Sequence, residues 1–164
     1  MGSEKTQVTK WARCMCGDIR YEFRYYPIDQ SCNSYVPRTM FPNACRAAAA
    51  AEAAGQIGGM EAFWRMHEWL LTHQAEVSQS GDAAIRAAAP SLGLNADNLI
   101  AAMSSPDVQS ILSSETNLAS RIGMPEIPRI YVNFKLVPRW NLPNEFILER
   151  VIEEAGRPKA TAPK

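Results

Sequence analysis

The sequence predicts an α/β protein in which a strand, a block of five helices, two further strands and a last helix follow in that order. Three observations carry this. Ile19, Tyr21, Phe23 and Tyr25 alternate with Arg20, Glu22 and Arg24, the period-two pattern of a half-buried strand. An alanine-rich middle stretch is punctuated by start and stop signals for helices. Residues 123–138 then read as loop, strand, turn and strand. Pro125 and Pro128 fix two φ angles there, and Ile127, lying before a proline, is pushed toward an extended conformation. Ile130, Tyr131 and Val132 are strand formers, and Asn133, Phe134 and Lys135 reverse the chain into Leu136 and Val137.

The elements follow in turn. Residues 6–16 read as the last turns of a helix that Gly17 stops. The strand occupies residues 18–26. Residues 27–42 hold three prolines but keep Tyr35, Met40 and Phe41, which points to an ordered loop. Asn43 is expected to cap a helix over residues 44–54, with Gly55 as its stop. A second helix over residues 60–73 places Phe63, Trp64, His67, Leu70 and Leu71 on one broad face. After a polar break at residues 78–81, Asp82 caps residues 83–89 and Asn95 caps residues 96–103. Ser105 and Pro106 open a helix to residue 122, with Gly123 just past its end. A last helix covers residues 145–155 and stops at Gly156. The reading is one domain over residues 1–156, with residues 157–164 a disordered tail.

Lysine and arginine balance aspartate and glutamate, 17 against 17, so no bulk charge argues for nucleic acid or an anionic membrane as partner. No apolar run is long enough to span a bilayer, and the first residues lack the apolar core of a signal peptide. The four cysteines, Cys14, Cys16, Cys32 and Cys45, all fall in the first third of the chain. Their spacing matches no paired Cys-x-x-Cys zinc site, and His67 and His73, six apart on a helix, do not share a face. Hence no metal and no cofactor are expected. His67, beside Trp64 on an apolar face, reads as a core residue, as do Phe63 and Trp69.

Four motifs in order carry a resemblance. They are Tyr26-Pro27-Ile28-Asp29 with Ser31-Cys32-Asn33, then Phe41-Pro42-Asn43-Ala44-Cys45 opening the alanine-rich helix, then Phe63-Trp64-Arg65-Met66-His67, and last residues 123–133. Together they resemble the DsbA-like branch of the thioredoxin superfamily, in the version found beside or fused to vitamin K epoxide reductase homologues. The resemblance implies a thioredoxin-like fold with a helical insertion over residues 43–122. It implies a thiol-disulfide oxidoreductase acting on protein or peptide thiols and disulfides, in an extracytoplasmic (periplasmic) setting, with a vitamin K epoxide reductase-like membrane partner. Family members open with a strand and a helix carrying Cys-x-x-Cys, whose first cysteine is a low-pKa thiolate at a helix N-terminus. This chain has no Cys-x-x-Cys. The resemblance therefore implies that the first β-α unit is lacking, that residues 6–16 are the helix remnant, and that catalysis is incomplete.

The resemblance also assigns the site residues. It places Ile127 and Pro128 on the substrate-binding loop with Pro128 cis, whereas local chemistry alone favours an ordinary trans proline. It implies a structural disulfide between Cys32 and Cys45, worth about 3 kcal/mol on the chain-entropy account. Cys14 and Cys16 are the remaining redox candidates, set at a helix C-terminus where the dipole opposes a thiolate. A non-catalytic binding or scaffold domain that keeps the proline groove is the alternative. A thiol transferase like the kappa glutathione transferases, which share the helical insertion, is a third.

Overall fold

The structure is a computed structural model and describes residues 11–13, 19–123, 127–143 and 145–156. The chain divides into two compact units, Met1–Gly123 and Met124–Lys164, and each is taken by itself.

In the first unit, β1 (Trp11–Arg13) pairs antiparallel with β2 (Arg20–Glu22), with Ala12 opposite Tyr21. This corrects the expected helix remnant: residues 11–13 are extended and satisfy the β2 ladder. The rest of that remnant, with Cys14 and Cys16, lies outside the described residues. The ladder is shorter than the alternation of residues 18–26 suggested. The burial pattern outlasts it, because Tyr25 is buried and Phe23 half-buried while Arg24 stays exposed.

The helical block is built on α1 (Ala44–Thr72), which packs against α4 (Ala96–Met103) and α5 (Pro106–Arg121). Ala48, Ala49, Ala50, Ala51, Ala53 and Ala54 are all buried, so this half of α1 is covered on every side. The expected stop at Gly55 is not used. The helix runs through it and breaks at Gly59, whose φ of 75° and ψ of −172° are open to glycine and little else. A glycine inside a helix costs only about 1 kcal/mol, and burial at Gly55 outweighs that. Two short helices follow, α2 (Gln74–Ser80) and α3 (Asp82–Ala88), separated by Gly81 at φ 52°. The polar break expected at residues 78–81 is thus mostly helical, and Asp82 is the first residue of α3 rather than its cap. A 3-10 turn at Ala89–Leu92 leads to α4. Asn95 caps α4 by accepting from the Asn98 N–H at 2.9 Å, and Ser105 caps α5 by accepting from Val108 at 3.3 Å. Phe63, Met66, Ile85, Leu99, Met103, Val108 and Leu112 fill the core between these helices.

The second unit holds a hairpin, β3 (Tyr131–Val132) against β4 (Lys135–Leu136), and α6 (Ile147–Gly156), which packs on β3. The hairpin register puts Tyr131 opposite Leu136. Asn133 and Phe134 make the turn, both with positive φ, as a two-residue turn between right-twisted strands requires.

Candidate functional site

The loop after β2 is built around a buried carboxylate. Asp29 is 5% exposed, and one carboxylate oxygen accepts from the Ser31 N–H at 3.0 Å and the Thr39 hydroxyl at 3.5 Å. The other accepts from the Cys45 N–H at 3.3 Å. Burial alone would raise the Asp29 pKa. The hydrogen bonds from Ser31, Cys45 and Thr39 favour the charged form more strongly, and the group is held below the ordinary carboxylate value. The Asp29 carbonyl meanwhile accepts from the N–H groups of Cys32 and Asn33. Asn33, fully buried, donates to the Pro27 carbonyl at 2.8 Å and accepts from the Tyr35 N–H at 3.2 Å. The loop closes on itself where the Met40 and Phe41 N–H groups reach the Ile28 carbonyl.

This loop carries a disulfide. Cys32 and Cys45 are bonded with their Cα atoms 5.9 Å apart. Cys45 lies in the first turn of α1 and is 6% exposed, whereas Cys32, on the loop, is half-buried. Because the first N–H groups of a helix have no partner within it, the Asp29 carboxylate acts as the cap that Asn43 was expected to supply. Asn43 instead adopts the left-handed conformation, φ 64°, and its amide donates to the Val77 and Ser78 carbonyls at 3.2 and 3.1 Å. Beside it the Arg46 guanidinium grips Asp82 with two hydrogen bonds, of 2.6 and 2.7 Å. The start of α1 is therefore fastened to the loop on one side and to the α2–α3 corner on the other.

A second polar group lies under β2. The Tyr25 N–H donates to Glu115 of α5 at 2.5 Å, and Glu115 also faces Arg24 at 3.7 Å. Burial, then the neighbouring charges of Glu52 and Glu115 and a hydrogen bond with Glu52, push the Tyr25 hydroxyl well above the ordinary tyrosine value. His67 is half-buried, with its ring edge-on to Phe23 at 4.4 Å and stacked on Phe63 at 5.8 Å. Burial lowers its pKa.

In the second unit the Ile127–Pro128 peptide is cis, with Ile127 39% exposed and Pro128 exposed. The Trp140 indole N–H donates to the Pro128 carbonyl at 3.4 Å, and the Val137 N–H donates to Ile130 at 2.9 Å. These two bonds set the path by which the loop leaves Pro128 and enters β3.

From residue 22 to residue 145, about three quarters of its length, the sequence matches the DSBA-like thioredoxin domain. The chain belongs to that family. The matched stretch takes in Cys32, Cys45, Ile127 and Pro128, while Cys14 and Cys16 precede it. No curated protein and no solved structure matches the chain. Among the described residues, no three histidine, cysteine or acidic side chains gather as a metal site. The sequence picked out the two cysteines and the proline loop, but it missed Asp29 and Asn33 as the groups that shape the first loop. The signal was present. Each is an Asx residue followed two positions later by the N–H it accepts from, the spacing of an Asx turn. Glu52, the one charge in a run of alanines, is buried beside Tyr25, a placement with no local sequence signal.

Proposed function

We propose that this DsbA-like domain handles protein or peptide thiols and disulfides outside the cytoplasm, binding an extended substrate segment along the Ile127–Pro128 loop. The observation that carries the reading is the exposed Ile127–Pro128 segment leading into β3, in a chain of this family. A loop of this kind offers main-chain groups to an extended partner, which adds to it as a strand would. The sequence holds no Cys-x-x-Cys, so rapid turnover of protein disulfides is not expected of it. Among the described residues no helix is long and apolar enough to cross a membrane. A vitamin K epoxide reductase-like membrane protein is the redox partner this reading favours.

The test is binding of a labelled cysteine-containing peptide, followed by fluorescence anisotropy, alongside insulin reduction. Ile127→Asp should weaken the peptide by about tenfold or more, since the loss of one buried apolar contact and the added charge each cost on the order of 1 kcal/mol. Insulin reduction should stay at the uncatalysed rate. Equal peptide binding by wild type and Ile127→Asp would sink the assignment. Insulin turnover lost in Cys14→Ser/Cys16→Ser would move the chemistry to Cys14 and Cys16.

A further inference from the structure

The Cys32–Cys45 bond has features that a mere staple does not need. Its two sulfurs are unlike: Cys32 sits half-buried on a surface loop, while Cys45 is 6% exposed in the first turn of α1. An incoming thiolate therefore reaches Cys32 first, and Cys45, shielded in the first turn of α1, is the sulfur that departs. The loop also has a frame that does not depend on the bond. Asp29 ties Ser31, Thr39 and the start of α1 together, Asn33 ties Pro27 to Tyr35, and Ile28 holds Met40 and Phe41. With the bond open, these contacts keep the two sulfurs near one another. The Asp29 charge beside the Cys45 N–H then works against a lasting thiolate at Cys45 and favours reclosure.

From this we infer that Cys32–Cys45 is a thiol-exchange site in its own right, opened at Cys32 by small thiols of the glutathione class. A thiolate attacks the Cys32 sulfur, forming a mixed disulfide there as the Cys32–Cys45 bond breaks and Cys45 leaves as a thiolate that takes up a proton. In the return direction Cys45, deprotonated, attacks the Cys32 sulfur, the bond reforms and the small thiol departs. If a second small thiol instead resolves the mixed disulfide, two thiols are oxidised to one small disulfide and the Cys32–Cys45 pair is reduced to two thiols. The site deepens the family reading by naming a small-thiol substrate, but it uses none of the Ile127–Pro128 loop.

The full chain is equilibrated in glutathione buffers from fully oxidised to fully reduced, quenched with acid, alkylated and mapped by mass spectrometry, with circular dichroism following the fold. The expected result is glutathione on the Cys32 peptide in about tenfold excess over the Cys45 peptide while the helical signal stays native. Cys45→Ser should hold glutathione on Cys32 as a lasting mixed disulfide, and the wild-type map decides if that variant does not fold. The same pattern should persist in Cys14→Ser/Cys16→Ser. The inference is overturned if the bond survives the whole series and opens only in denaturant, or if glutathione divides evenly between the two cysteines. Because the probe is glutathione alone, such a result leaves peptide binding at Ile127 and Pro128 standing.

Discussion

The Asp29 carboxylate caps α1 from sixteen residues upstream, accepting the Cys45 N–H at 3.3 Å. A buried acceptor serving three donors is expensive to lose, so Asp29→Ala should destabilise the protein by about 1–3 kcal/mol. The folded pKa lies below the unfolded value of 3.8, so the ionised group contributes its stability above that value and loses it as pH falls through the folded one. Urea unfolding across the acid range should show the gap between wild type and Asp29→Ala full at neutral pH and closing below 3.8. A gap that does not change with pH would separate the cap from the charge.

His67 gives the opposite protonation signature. Its folded pKa lies below the ordinary histidine value of 6.5, so the unfolded chain binds the proton more readily, and stability rises with pH through this window. His67→Phe keeps a ring against Phe23 and Phe63 while removing the titration. The variant's thermal midpoint should be flatter than that of wild type between about pH 5 and pH 7, by roughly the shift of one perturbed histidine. A variant that follows wild type over that range would put the pH dependence elsewhere.

Gly59 has nothing within 4 Å of where a Cβ would stand, and its φ is +75°. Sterics with neighbours therefore cannot be the obstacle to a side chain, but backbone conformation is. Gly59→Ala should cost about 1–3 kcal/mol, or straighten the break in α1, which amide exchange around residues 57–61 would report as new protection. A neutral Gly59→Ala with unchanged exchange would mean that the break does not depend on glycine.

The parts of the fold that were legible in the sequence are those settled by local chemistry. Asn95 and Ser105 cap α4 and α5 through bonds three residues long, and the Asn133-Phe134 turn needs only its own backbone. What was not legible depends on distant neighbours. Gly55 looks like a stop until α1 is seen to be buried around it. Asn43 looks like a cap until Val77 and Ser78 are seen within reach of its amide. Gln74–Ser80 has too little apolar pattern to announce a helix, and it exists because α1 and α3 pack beside it. The same divide runs through the site. Cys32, Cys45, Ile127 and Pro128 stood out by family likeness, whereas the work of Asp29 becomes visible only when residue 45 is brought back to residue 29.

The alanines of α1 have one more consequence. Side chains already reduced to a methyl have almost nothing to lose by further trimming, yet at Ala50, Ala53 and Ala54 exposure is zero and every added carbon must displace a neighbour. Sequence drift along this face is therefore one-sided: it can stand still or shrink to glycine, but it cannot grow. A chain that built its central helix this way fixed the spacing of its neighbours by the bare backbone, and its tolerance for change lies in the helices that lean on α1.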